Sequence, residues 1–206
     1  MRSIYKIVVC SLLTLSITSC EKDLLEKEQY QKEIYLIGAY NRVWTTEVSY
    51  SNEEVKTYFT VSSSGTLALD RDVNVKMKIN EELVDIYNKK YWTVLNEDKY
   101  YKSLDTDLYS IPSLENTVIK HAEGISAEVP VLIKTASLKI DQSYVIPVEI
   151  ESTTGYPISE SGYKMLILLK LKNDYSGSYQ MSGHTTLEGE TPKTMIRQSL
   201  HEIEQS

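Results

Sequence analysis

The chain has 206 residues and a formal charge of −7, from 22 basic and 29 acidic side chains. An acidic surface repels phosphate backbones and anionic headgroups, and no run of basic residues along the sequence offsets it, so nucleic acid is not an expected partner. Two cysteines, Cys10 and Cys20, are too few for a disulfide framework or a Cys-based metal centre.

Arg2 and Lys6 precede Ile7–Ile17, a short and mostly apolar run. A bilayer-spanning helix needs roughly 20 residues, so this run is too short for one. A positive start, a short apolar stretch and small residues after it are the parts of a secretory signal peptide. In place of the usual Ala-x-Ala cleavage site stands Ile17-Thr18-Ser19-Cys20, which resembles the bacterial lipobox, where the cysteine is acylated and becomes the new N-terminus. Residues 1–19 are therefore read as a lipoprotein signal peptide, Cys20 as the lipidation site, and 20–32 as the lipidated end and tether. Several acyl chains on Cys20 would give a lasting membrane anchor, since each buried methylene contributes ~0.8 kcal/mol. Glu21-Lys22-Asp23 looks like the charged signal that sends such lipoproteins to the outer face of the outer membrane, although a solvated linker or a short helix explains the same residues. The expected location is the outer membrane, cell-surface exposed, with a periplasm-facing orientation left open. Loss of residues 1–19 removes Arg2, Lys6 and Cys10, moves the charge to −9, and leaves 187 residues that fold on their core alone.

From about residue 33 the hydrophobic pattern has period two, the signature of strands with one buried face. Val55, Thr57, Phe59 and Val61 share one side of the first run, and Val73, Val75, Met77 and Ile79 one side of the next, with Asn74, Lys76 and Lys78 opposite. Ser62–Gly65 and Asp70–Asp72 read as turn and loop chemistry. Asn80 can cap a helix that continues through Glu81 and Glu82, with Leu83, Ile86 and Tyr87 on one face and Lys89 and Lys90 near its end. Residues 91–115 form a polar, tyrosine-rich connection. Strand signals resume at 117–121, 129–134, 143–150 and 163–171, with Pro130 implying an edge or a strand start. The last of these is the most apolar segment after the leader and reads as a central buried strand. About seven short strands and one helix give a mainly β fold, an immunoglobulin-like antiparallel β-sandwich with one short helical insertion spanning 33–172. In the remaining 173–206, Met195, Ile196, Leu200 and Ile203 are spaced like a helix face, and a pair of short strands fits as well. This part is a short tail or the start of a truncated second module.

Little in the chain signals chemistry. His121, His184 and His201 are far apart and lack the spacing of a metal site, and no nucleophile elbow, phosphate loop or dinucleotide fingerprint occurs. Asp70/Asp72 and Asp105/Asp107 are carboxylate pairs, but neighbours two apart in loops need not face each other across a sugar as glycosidases require. Oxygen ligation of a hard cation by Asp105 and Asp107 is conceivable, and a solvated loop is the simpler reading. The chain is read as a non-enzyme without cofactor or metal. Sixteen tyrosines stand against one Phe and two Trp. Tyrosine suits half-buried strand faces, rims and sugar-stacking platforms alike.

The helix segment "INEELVDIYNKKY" (Ile79–Tyr91) with Leu83, Tyr87 and Asn88, and the strand "SYVIPVEIES" (Ser143–Ser152), together with the lipobox and the strand to Leu171, resemble the N-terminal β-sandwich domain of unknown function 1735 of Bacteroidota surface lipoproteins, over roughly residues 30–172. The resemblance implies a genomic setting of glycan uptake, with an outer-membrane transporter complex and polysaccharide as partners, and a second module after the sandwich. On that basis the expected function is a cell-surface accessory lipoprotein for glycan binding and uptake, with Tyr91, Trp92, Tyr100, Tyr101 and Tyr109 as candidate stacking residues. The alternative is a structural spacer or an adhesin or fimbrial-type assembly module without sugar binding.

Overall fold

The computed structural model of the protein describes residues 28–173 and the backbones of two strands at 177–185 and 193–201. The signal peptide 1–19, Cys20 and the tether up to residue 27 lie outside the described residues.

Two sheets face each other. The first has the order β1 (Ile34–Leu36), β3 (Glu54–Ser63), β8 (Ser126–Lys134), β6 (Tyr109–Ser110), all antiparallel. The second runs β2 (Val43–Ser49), β10 (Lys164–Lys172), β9 (Tyr144–Thr153), β4 (Val73–Ile79), β7 (Thr117–Ile119), with β5 (Lys102–Ser103) also beside β9. The expected antiparallel sandwich is present, with two exceptions. β2 pairs parallel with β10 from Val43↔Leu166 to Ser49↔Lys172, and β5 pairs parallel with β9. β2 crosses from the first sheet to the edge of the second through a tight turn at Ala39–Asn41, and so runs in the same direction as β10.

The alternating side chains meet between the sheets. Phe59, Val61, Val129, Val131 and Ile133 come from the first, and Val73, Val75, Met77, Ile146, Val148, Ile167 and Leu169 from the second. Each such burial is worth about 1.5–3 kcal/mol. Asn74, Lys76 and Lys78 point outward as the alternation requires.

The outer face of the second sheet is also covered, by α1 (Glu82–Tyr91). Asn80 Oδ1 accepts the Glu82 N–H at 3.2 Å, Glu82 and Asp85 sit in the first turn, and Lys89 and Lys90 in the last. The helix packs Leu83 and Val84 on Val145 and Leu166. Its buried face runs through Leu83, Val84 and Asn88, whereas Ile86 is 53% exposed. The face expected from Leu83, Ile86 and Tyr87 is thus turned by about one residue, ~100° of helix. Burial on both sides explains why the 163–171 segment is so apolar: Met165, Ile167 and Leu169 face the sandwich core and Leu166 the helix.

Both strand prolines lie where no ladder bond is lost. Pro147 C=O accepts the Asn80 N–H at 3.1 Å. N–H and C=O of one strand residue point to the same edge, so the absent donor of Pro147 faces the gap between β5, which ends opposite Val145, and β4, whose last residue Ile79 stands opposite Val148. Pro130 pairs with Tyr58 of β3, upstream of Leu132 and Ile133, the residues that β6 reaches.

Beyond the sandwich, β11 (Gly177–Thr185) and β12 (Lys193–His201) pair antiparallel from Gly177↔His201 to Thr185↔Lys193. The strand reading of the tail holds over the helical one. Ile203 lies outside the described residues.

Candidate functional site

A cleft of about 240 Å³ opens between the solvent side of α1, the turn after β1 and the chain entering β10. Tyr40 and Arg42 line it from the turn, Ile86, Tyr87, Lys90 and Tyr91 from α1, and Glu160, Ser161, Tyr163 and Lys164 from the approach to β10. The buried side chains of Leu83 and Leu166 give it an apolar bottom.

The turn is held tightly. Gly38 (φ 89°) and Arg42 (φ 63°) bracket it, both in the left-handed region. A Cβ on Gly38 would stand 2.5 Å from Trp44 Cε3, so glycine is required there. Positive φ is uncommon for arginine, and such strain concentrates at functional sites. Arg42 N–H donates to Ala39 C=O at 2.8 Å, and Arg42 C=O accepts the Leu166 N–H at 2.8 Å, which fixes the residue at the cleft edge. Tyr40, at the tip, is 88% exposed.

Three rings support the α1 side. Tyr87 lies 4.5 Å from Tyr91 in a tilted arrangement and stacks on Tyr101 at 5.2 Å with 10° between planes. Burial, followed by the neighbouring Tyr101, pushes the Tyr87 hydroxyl above its ordinary pKa. Lys90 Nζ sits 5.2 Å from the Tyr91 ring centroid and Lys164 Nζ 4.8 Å from that of Tyr163.

Of the candidate aromatics, Tyr91 lines the cleft at 49% exposure, and Tyr101 backs it through Tyr87. Trp92 follows α1 directly, with its Nε1 buried and without a hydrogen-bond partner and Lys99 Nζ 5.8 Å from its ring. Trp92 and Tyr100 do not line the cleft. Tyr109 lies on β6 of the first sheet, packed on the main core, and its buried hydroxyl has no partner. Burial, and then the charge of Glu81, push the Tyr109 pKa up to about 12. Tyr40, Arg42, Tyr163 and Lys164 were not singled out by the sequence. The one local signal was Gly38-Ala-Tyr-Asn-Arg42, an aromatic set within turn chemistry.

The carboxylate pairs do not converge. Asp70 binds Arg71 at 2.9 and 3.0 Å and accepts the Tyr156 hydroxyl, and these donors hold its carboxyl well below the usual range. Asp72 instead meets His121 Nδ1 at 2.6 Å. Asp105 caps its own short turn through the Asp107 N–H. Among the described residues no cluster of three His, Cys, Asp or Glu could hold a metal ion.

A multidomain protein from Bacteroides ovatus that includes the domain of unknown function 1735 superposes with a TM-score of 0.55 at 22% identity, over 77% of this chain and 51% of that one. A family model described as an N-terminal domain matches residues 30–157, and one described as a C-terminal domain matches 163–203. The chain belongs to the domain of unknown function 1735 family. The C-terminal family model begins at β10, a strand that here completes the second sheet of the sandwich. The same fold occurs in an auxiliary nutrient binding protein from Bacteroides thetaiotaomicron (TM-score 0.55, 15% identity, 79% of this chain, 57% of that one). It also occurs in EndoBT-3987 of that species, solved with a Man5GlcNAc product (TM-score 0.50, 21% identity, 70% and 33%). The chain spans about half the length of the solved structures it matches, 51% to 56% for the first three. No curated protein matches it in sequence.

Proposed function

We propose that the protein is a non-catalytic accessory module that holds a glycan at the cell surface, anchored through lipid on Cys20 and working beside an outer-membrane glycan transporter. The observation that carries this reading is the cleft in which Tyr40, Tyr91 and Tyr163 surround an apolar bottom. Tyrosine faces suit the C–H faces of pyranose rings while their hydroxyls reach water, and a few convergent polar groups orient a ligand over an apolar base. Ser161 and Glu160 can exchange hydrogen bonds with sugar hydroxyls. Glycosidic hydrolysis ordinarily uses two carboxyl groups across the scissile bond, and Glu160 is the single carboxylate lining this cleft. That supports binding without turnover, although the fold is shared by EndoBT-3987 as well as by a nutrient binding protein.

The spacer reading draws on a different observation. β2, seven residues long, pairs only β10, so among the described residues its outer edge has no strand partner and offers a template for another strand.

A glycan-array screen of the protein beside Tyr91→Ala and Tyr163→Ala separates the two readings. Binding weakened at least about tenfold in both variants supports the cleft. No binding to any glycan by a folded protein favours the spacer.

A further inference from the structure

The charge of the cleft is opposite to that of the chain. The sequence carries −7 overall, whereas the cleft is lined by Arg42, Lys90 and Lys164 against the single carboxylate of Glu160. Several lysines elsewhere on the sandwich are ion-paired: Lys76 Nζ lies 2.7 Å from Glu151, Lys120 Nζ 2.8 Å from Glu123 and Lys172 Nζ 2.5 Å from Glu47. Arg42, Lys90 and Lys164 have no carboxylate partner among the described residues. Lys90 and Lys164 rest instead over Tyr91 and Tyr163, contacts that hold an ammonium in place without neutralising it.

We infer that the cleft selects glycans bearing an anionic group, a uronate carboxylate or a sulfate ester, with the sugar ring on its tyrosines and the anion among Arg42, Lys90 and Lys164. The inference rests on the glycan-binding reading and names the class of glycan. A guanidinium presents paired N–H donors that match planar or tetrahedral oxyanions, and two ammonium groups beside it complete the shell. A partly enclosed cleft screens these charges less than open water does. The net negative charge of the chain disfavours the same anion over the surface as a whole, which adds to the preference for the cleft. A neutral sugar in the same place would cover the cations without pairing them, which disfavours it.

The test is affinity electrophoresis of the protein through four polysaccharides in two matched pairs: polygalacturonate and its methyl ester, and carrageenan and its desulfated form. The expected result is retention by the charged member of at least one pair about tenfold stronger than by its neutral partner, weakening as salt is added. The pair that shows it identifies the carboxylate or the sulfate as the recognised group. Arg42→Gln/Lys164→Gln abolishes that retention, while Lys76→Gln/Lys78→Gln, on the outer face of β4, keeps it. The melting temperature confirms that each variant is folded, and Lys90→Gln replaces the double variant if that one does not fold. Equal retention by both members of a pair, lost in Tyr91→Ala, overturns the inference and leaves the glycan reading standing. Charged retention that survives Arg42→Gln/Lys164→Gln also overturns it. No retention by any of the four overturns it too, and the glycan array then decides the broader reading separately.

Discussion

The Asn88 side chain holds Tyr101 by both backbone groups: Nδ2 donates to the Tyr101 carbonyl at 2.9 Å and Oδ1 accepts the Tyr101 N–H at 2.9 Å. Asn88 is 5% exposed and stands in for a strand partner, joining the last turns of α1 to the chain entering β5. The same clamp keeps Tyr101 stacked under Tyr87, and Tyr87 under the cleft. Asn88→Ala removes two bonds and leaves two partly buried backbone groups without that partner, an expected loss of about 1–3 kcal/mol in urea denaturation. Asn88→Asp also destabilises, because a carboxylate cannot donate to the Tyr101 carbonyl. A loss below about 0.5 kcal/mol in Asn88→Ala would contradict this role.

The orientation of α1 is tested by a pair of alanine variants. Leu83 is buried against Val145 and Leu166, and Leu83→Ala should cost about 2–4 kcal/mol. Ile86 is solvent-facing, so Ile86→Ala should stay within about 0.5 kcal/mol of the parent protein. The reverse order would return the helix to the face that spacing alone suggests.

Much of the fold was legible because period-two burial is a local signal. The runs at 55–61 and 73–79 are strands with the expected sides inward, and Asn80 caps the helix. β2 was not legible: in Val43–Ser49 only Val48 is fully buried, so no alternation exists to be seen. β5 and β6, two residues each, are defined by their partners rather than by any pattern. The cleft draws on residues 39–42, 83–91 and 160–166, which the parallel β2–β10 pairing and α1 bring together. No spacing within one segment could announce it, and of the five aromatics singled out only Tyr91 lines it.

Tyr109 separates a structural tyrosine from a binding one. Its hydroxyl is buried without a partner, so Tyr109→Phe should leave the melting temperature unchanged or raise it, by up to about 1 kcal/mol of stability. Its folded pKa, about 12, lies above the ordinary value of 10.0. The favourable difference is therefore complete below pH 10 and is lost as pH rises from 10 toward 12. Ultraviolet difference titration should show this ring ionising after the exposed tyrosines, with the late step absent in Tyr109→Phe. Glycan retention should be the same in that variant.

Glu28 ties the end of the tether to the loop after β3. It pairs with Lys32 and accepts from the Thr66 hydroxyl at 2.8 Å and the Thr66 N–H. The Lys32 bond first, then the Thr66 N–H, hold its pKa at about 2 against an ordinary 4.5. A lowered folded pKa means that the contact is fully present above pH 4.5 and fades as pH falls from there toward 2. Limited proteolysis should cut near residues 28–32 faster at pH 3 than at pH 7, and Glu28→Gln should be cut faster than the parent protein at pH 7. Cleavage independent of pH and of this substitution would show that Glu28 does not hold the segment.

The central claim is that the cleft beside α1 is where a glycan sits. The most direct measurement is protein-observed NMR titration with the oligosaccharide retained most strongly on the array. The account predicts shift changes concentrated at Tyr40, Arg42, Tyr91 and Tyr163, saturating together with one dissociation constant. Shifts clustered along β2 or around Trp92 and Tyr100, with those four residues unmoved, would contradict it.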